Sequence, residues 1–251
     1  GPCYTDKVSR KGLRVKDIFH PYFHPNTTSL PFETPDLSEF FEACDYLKQF
    51  RIESTEILIN QLLDGGKRVL AEGAQATGLD IDFGTYPFVT SSMTTTAGVC
   101  QGLGVSPKRI GIVYGVMKAY ATRVGNGPFI TELFNQLGDE ICQKGNEFGS
   151  TTGRKRRCGW LNLNDIKYNS MICGVDKFVI TKADVLNGFE EVKIYLDGKY
   201  YDFKGWNDLE SEEWNNFVSF IESETGIPVS IISNGVNRDD IIEIENDICL
   251  N

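Results

Sequence analysis

Lys177-Phe-Val-Ile-Thr181 ends on three β-branched residues in a row, with phenylalanine ahead of them. A run of this kind suits a strand buried on both faces rather than an alternating, half-exposed one. A strand buried that way needs helices over its sheet, which points the chain towards an α/β architecture. Lys182-Ala-Asp184 follows directly, so it falls at the strand's carboxyl end, where open α/β sheets present their ligand-binding groups.

The other segments fit the same plan. Arg68–Ala71 reads as a short strand running into Glu72-Gly-Ala-Gln75, and Gln75 there offers both a donor and an acceptor. Arg109–Val116 reads as a buried strand, Asn162–Ser170 as a helix, and Glu191–Phe203 as a hairpin turned by Asp197-Gly198. Trp214, Phe217, Val218 and Ile221 mark one face of a helix ending at Gly226, and Pro228–Ser233 is read as the last strand, leading to Asn234-Gly235. Towards the start, Asp36 is positioned to cap a helix, with Glu39 completing a capping box. Apolar residues from Leu37 to Leu63 recur at helical spacing up to Gly65-Gly66, one or two helices whose stripe is expected to be core. The expected fold is a mostly parallel, doubly wound α/β sheet with a helical subdomain at about residues 36–66. No clear linker divides residues 1–251.

Charge narrows the function. The chain carries a formal net charge of −10, against general nucleic-acid binding, which uses a basic domain. No apolar run approaches the roughly 18 residues that span a bilayer, and no signal peptide opens the sequence. Seven cysteines without a C-x-x-C pair suit reduced thiols in a cytosolic protein. His20 and His24 have metal-ligand spacing, but Pro21 and Pro25 break the helix it requires, and no metal site is expected. The acidic stretch Asp239–Asp247 reads as a solvated face.

Against that acidity, Gly149–Trp160 concentrates three hydroxyls, loop glycines and the four cations of Arg154-Lys-Arg-Arg157. Backbone N–H groups in a Gly-rich loop approach an anion closely, and arginine forks grip carboxylate or phosphate. A solvated basic loop fits the same residues. The six hydroxyls from Thr90 to Thr96 suit a phosphate or ribose site, or an ordinary loop. Arg10, Lys11 and Arg14 suit an anion patch or a solvated turn. At Asp184 a carboxylate can accept the N1–H and 2-amino group of guanine while the Lys182 stem lies along the base; a surface ion pair is the plainer alternative.

Taken together the motifs resemble adenylosuccinate synthetase over nearly the whole chain. The resemblance rests on Gly1-Pro-x-Tyr-x-Asp-Lys-Val-x-Arg10, Glu72-Gly-Ala-Gln75, Leu79-Asp-Ile-Asp82 and Gly84-Thr-Tyr-Pro-Phe-Val-Thr-Ser-Ser92. It continues through Thr122-Arg-Val-Gly-x-Gly-Pro-Phe129, Asn146-Glu-Phe-Gly-x-Thr-Thr-Gly-Arg154, Gly159-Trp160, Thr181-Lys-x-Asp-Val-Leu186 and Ile231-Ile-Ser233. That family joins L-aspartate to IMP at the expense of GTP, phosphorylating the 6-oxygen before the aspartate amine displaces the phosphate.

The resemblance implies that the fold is P-loop NTPase-like, and it implies roles residue by residue. Gln75 would hold the developing 6-oxyanion. Thr90 and Arg154, with Gln75, would bind IMP, and Arg10 would reach its phosphate across a homodimer. Ser150, Thr151, Thr152, Gly153 and Arg154 would close on aspartate. Arg156, Lys182, Ala183, Asp184, Ser233, Asn234 and Gly235 would hold GTP. Lys155 and Arg157 keep the reading of a solvated basic run. A cytoplasmic enzyme, without nucleic-acid or membrane partners, is implied.

Departures from the family pattern matter too. No G-x-x-x-x-G-K-[ST] occurs, and the family's N-terminal Gly-rich phosphate loop is missing. By resemblance that segment carries the catalytic aspartate and histidine and the Mg²⁺ ligands. The expectation is therefore a C-terminal portion or an incompletely covered protein, inactive alone. Val236, Ala76 and Met93 replace a usual proline, glycine and asparagine, and Asp197–Trp206 is short, as in compact archaeal and phage relatives. Some phage relatives use dGMP, so a dGMP ligase and a non-catalytic guanine-nucleotide-binding module are the alternatives.

Overall fold

The computed structural model of the chain describes residues 1–20, 37–149 and 153–244. Two compact units emerge: Gly1–Ala71 with Gly102–Val105, and Glu72–Gln101 with Ser106–Asn251.

In the first unit, α1 (Pro2–Val8) precedes α2 (Ser38–Leu47) and α3 (Thr55–Asp64). α3 ends at the glycine pair: Gly66 takes φ 72° and Lys67 N–H returns to the Leu62 carbonyl at 2.9 Å, a left-handed close that glycine makes without Cβ strain. α2 starts at Ser38 after Leu37, while the expected cap Asp36 lies outside the described residues. The apolar stripe is not the core it was expected to be. Cys44 is buried, but Phe40, Phe41, Leu47, Ile52 and Leu62 are each at least 36% exposed. Helical spacing gathers side chains on one face; it does not supply a surface to cover them. The expected strand at Arg68–Ala71 is likewise absent. It pairs with no described strand, and Leu70 is 90% exposed.

Beyond α3 come α4 (Thr96–Leu103), β1 (Tyr114–Lys118), β2 (Ala121–Arg123), α5 (Gln136–Lys144), β3 (Arg157–Gly159), β4 (Leu161–Asn162) and α6 (Leu163–Cys173). They are followed by β5 (Lys177–Thr181), β6 (Glu191–Leu196), β7 (Lys199–Lys204), α7 (Glu212–Thr225), β8 (Val229–Ser233) and β9 (Ile241–Glu243). The main sheet of the second unit has the order β1-β5-β8-β9. β1, β5 and β8 are parallel, with Met117 opposite Ile180 and Ile180 opposite Ile232. This is the mixed α/β, parallel-containing architecture expected from the strand pattern.

Two strand expectations are corrected. β1 begins at Tyr114, not Arg109, and with one strand beside it Val116 remains 70% exposed. Nor is β8 the last strand, because β9 pairs antiparallel to it with Ile242 opposite Ile232. Ile241, Ile242 and Glu243 lay inside an acidic stretch whose net charge hid a short aliphatic run; residues 245–247 of that stretch are outside the described residues.

Local sequence explains the other elements. Asp197 at φ 48° and Gly198 at φ 82° turn the β6–β7 hairpin, the two left-handed positions such a tight turn needs. Ser211 Oγ accepts from Trp214 N–H to start α7, and Gly226 in the left-handed region stops it. The core packs Trp206 against Trp214 with ring centroids 4.9 Å apart, and Phe217 against both. Full burial of each large apolar side chain of this kind stabilises by about 2–3 kcal/mol, which holds α7 and the strand ends in place.

Candidate functional site

Parallel pairing brings the carboxyl ends of β1, β5 and β8 side by side, so Lys118, Thr181 and Ser233 end three adjacent strands. Lys182 leaves β5 at φ 57°, φ 57° being unusual for a residue with a Cβ, and turns the chain into a 3-10 helix at Ala183–Leu186. Ala183 is fully buried and its carbonyl accepts from the Trp206 indole N–H at 3.1 Å. At the end of β8, Asn234 N–H donates to the Asp240 carbonyl at 3.0 Å, and Asp240 Oδ2 accepts from Asn237 N–H at 2.7 Å. The Asp240 carboxylate lies where a Cβ on Gly235 would be. Lys182-Ala-Asp184 and Ser233-Asn-Gly235 thus lie at neighbouring strand ends.

Glu147, fully buried, is the electrostatic centre of this edge. Its Oε1 accepts from Lys118 Nζ at 2.7 Å and from the Tyr120 hydroxyl at 2.6 Å, with Lys182 Nζ 3.6 Å away. Its Oε2 accepts from Arg156 at 2.9 Å. Lys182 Nζ also donates to the Gly145 carbonyl. Burial alone would raise the Glu147 carboxyl, but hydrogen bonds from Lys118 and Tyr120 and the charges of Lys118 and Lys182 hold it below the usual carboxylate range. The Tyr120 hydroxyl is pushed up, first by burial and then by Glu147. Arg156 Nε is buried with no hydrogen-bond partner among the described residues. Three cations around one carboxylate leave an excess of positive charge suited to an anionic ligand.

Gln75 and Thr90 share a second cluster. Gln75 sits at φ 63°, and its Oε1 accepts from Ser92 Oγ at 3.4 Å. Thr90 N–H donates to the Leu79 carbonyl at 2.8 Å. Buried Asp80 organises the loop: Oδ1 accepts from the N–H groups of Asp82 and Phe83, and Oδ2 from that of Thr94 at 2.6 Å. These bonds outweigh burial and lower the Asp80 carboxyl. Thr94 and Thr96 donate to the carbonyls of Ala76 and Cys173, so part of the hydroxyl cluster ties the loop to its surroundings.

The basic run separates into distinct fates. Lys155 pairs with Asp139 and Arg156 with Glu147. Arg157 is no solvated cation. It forks onto both oxygens of Glu132, donates to the carbonyls of Gly125 and Gly127 and lies over the Phe129 ring. Sequence could not assign it because each partner lies 25 or more positions away. Gly149 N–H donates to the Arg154 carbonyl at 2.8 Å, and Gly153 takes φ 62°. Ser150, Thr151 and Thr152 lie outside the described residues, as does His24. Arg10, exposed at φ 62°, belongs to the first unit.

Sequence reasoning overlooked Glu147, Tyr120, Lys118, Asp80 and Asp240. Glu147 alone carried a readable signal, as a lone acid next to the Gly-rich basic loop. Among the described residues no three His, Cys, Asp or Glu side chains converge as a metal site. No described helix is long and apolar enough to cross a membrane.

Known proteins bear on this geometry. The family model described as adenylosuccinate synthetase matches residues 1–206. The adenylosuccinate synthetase of Bacteroides fragilis is 46% identical, the match covering 96% of this chain and 67% of the relative. That of Porphyromonas gingivalis is 44% identical with the same coverage. The chain thus spans about two thirds of the length of these relatives. The fully ligated adenylosuccinate synthetase of Plasmodium falciparum superposes with a TM-score of 0.87 at 33% identity, over 98% of this chain and 69% of that one. A cyanophage S-2L succinoaminodeoxyadenylate synthetase, bound to dGMP and dATP, shares the fold at a TM-score of 0.58 and 19% identity, over 80% of this chain and 54% of its own.

Proposed function

The chain belongs to the adenylosuccinate synthetase family, and from that premise we propose that it holds guanine nucleotide, IMP and L-aspartate for a GTP-dependent ligation forming adenylosuccinate. The observation that carries this reading is the placement of Lys182-Ala-Asp184 beside Ser233-Asn-Gly235 on adjacent parallel strands, with Arg156 and Lys182 both at Glu147.

On this reading Asp184 accepts the guanine N1–H and 2-amino group, the Lys182 stem lies along the base, and Ala183, Ser233, Asn234 and Gly235 complete its surroundings. Arg156 faces the phosphates. The 6-oxygen of IMP attacks the γ-phosphorus and GDP departs. The aspartate amine then adds at C6 and the phosphate leaves, exchanging a poor leaving group for a good one. Gln75 stabilises the 6-oxyanion while it carries charge. Thr90 and Arg154 bind IMP, and Ser150, Thr151, Thr152 and Gly153 with Arg154 hold the aspartate carboxylates. Arg10 serves the IMP phosphate of a partner subunit in a homodimer, and the protein works in the cytoplasm with Mg²⁺.

IMP is the nucleotide that membership of the family implies, and dGMP, bound by a phage protein that shares the fold, is the alternative. The 251 residues include no G-x-x-x-x-G-K-[ST] loop, and by themselves they bind without turning over. The deciding experiment titrates this chain with GDP and ADP, then assays it with GTP, aspartate and either IMP or dGMP. Preference for GDP of about tenfold or more, lost in Asp184→Asn, supports the reading. Equal affinity for GDP and ADP overturns guanine recognition, and GTP-dependent turnover by this exact chain overturns its inactivity.

A further inference from the structure

We infer that Glu147 is a positioning residue that couples the phosphate-side Arg156 to the base-side Lys182, so that the two ends of one guanine nucleotide are read through a single buried carboxylate. This rests on the proposed roles of Arg156 and Lys182; it adds a link between them that neither role requires.

The geometry singles out Glu147. Both of its oxygens are committed, Oε1 to Lys118 and Tyr120 with Lys182 Nζ at 3.6 Å, and Oε2 to Arg156 at 2.9 Å. The two ligand-side cations come from different segments. Lys182 follows the end of a central strand, whereas Arg156 follows the Gly-rich loop. Each is also tied to the backbone around Glu147: Arg156 N–H donates to the Glu147 carbonyl at 2.9 Å and Lys182 Nζ donates to the Gly145 carbonyl. Gly145 itself faces the Tyr120 hydroxyl, which leaves no room there for a Cβ. Lys118 and Tyr120 therefore fix the carboxylate, and Arg156 and Lys182 share what remains of its charge.

Sharing produces coupling. In a buried site two cations on one carboxylate polarise and compete, and pulling one towards a ligand changes the hold on the other. A glutamine in place of Glu147 keeps the shape but removes the charge, and one of its two terminal atoms becomes a donor facing Lys118 and Tyr120 or Arg156. A group that merely braces the fold would lower stability and leave the contributions of Arg156 and Lys182 to binding independent.

The test is a double-mutant cycle on the 251-residue chain with GDP as probe, read by calorimetric titration. Arg156→Ala, Lys182→Ala and the pair are measured with Glu147 intact and again with Glu147→Gln. With Glu147 intact, the loss of affinity in the pair falls short of the product of the single losses by about fivefold or more. With Glu147→Gln the losses multiply within about twofold. Multiplicative losses with Glu147 intact overturn the inference, as does non-additivity that survives Glu147→Gln. Should Glu147→Gln not fold, the cycle with Glu147 intact decides alone, and Glu147→Asp, which keeps the charge, must retain part of the coupling. If the unchanged chain does not bind GDP, the functional reading falls and this inference with it; binding with multiplicative losses overturns the inference alone.

Discussion

Tyr120 donates its hydroxyl hydrogen to Glu147 at 2.6 Å, with the tyrosine 1% exposed and the glutamate fully buried. It is a neutral donor where the other three groups at that carboxylate are cationic. Tyr120→Phe keeps the ring and removes only this bond. Because the acceptor is charged, the expected loss of folding stability is about 1.5–3 kcal/mol, measured by urea unfolding. A loss below about 0.5 kcal/mol would mean that the cations satisfy Glu147 without it.

Acid should destabilise the chain through identifiable groups. Asp80 and Glu147 have folded pKa values below their ordinary 3.8 and 4.5. Their contribution is fully present above the ordinary values and is lost as pH falls through the folded ones. Asp165 is raised by burial, against Asn162 and Arg123, and so acts in the opposite sense. The melting temperature is expected to drop on acidification below about pH 4.5, and the drop should shrink in Asp80→Asn. An unchanged acid profile in that variant would remove Asp80 from the account.

Gly235→Ala places a methyl group against the Asp240 carboxylate. The loop after β8 must then shift, and GDP affinity is expected to fall about tenfold or more with little change in far-UV circular dichroism. Asp240→Ala in the same chain removes the obstruction and should restore part of the affinity. Equal binding by Gly235→Ala and the unchanged chain would place guanine recognition elsewhere.

Burial first, and then Cys142 and Glu147 beside it, push the Cys158 thiol up to about 12. Although it lies next to the basic run, Cys158 should be inert. At pH 8, iodoacetamide is expected to label exposed Cys3 at least about a hundredfold faster than buried Cys142 or Cys158, by peptide mass spectrometry. Comparable rates would show that the strand carrying Cys158 opens readily.

Arg157→Lys tests the reassigned arginine. The fork onto Glu132 and the two carbonyl contacts need a planar guanidinium. Lysine should therefore cost about 1–3 kcal/mol of stability, close to the cost of alanine. Full rescue by lysine would reduce the contact to simple charge pairing.

Local chemistry was legible wherever the determinant lay within a few residues. Asp197-Gly198, Gly66 and Gly226 announced a turn and two helix ends because each conformation is set by the residue that adopts it. Lys177–Thr181 announced a central strand but not its burial, which alternates, with Phe178 and Ile180 buried and Val179 and Thr181 only half-buried. The α2–α3 stripe, the strand expected at Arg68–Ala71 and the unexpected β9 went the other way, since burial and pairing depend on a neighbour that periodicity does not specify.

The candidate site divides along the same line. From sequence came the residue types and their order: a carboxylate two positions after a lysine at a strand end, a Gly-rich basic loop, and the motifs that identify the family. Tertiary structure decided which cation meets which carboxylate. It sent Lys155 to Asp139, Arg156 to Glu147 and Arg157 to Glu132, three neighbours in sequence with three destinations. Consecutive side chains on an extended segment point to opposite sides, so adjacency in the chain carries no information about partnership. Parallel pairing of β1 with β5, segments far from each other in sequence, brought Lys182 beside Lys118, and an antiparallel bridge between Phe148 and Lys155 brought Arg156 to the same Glu147.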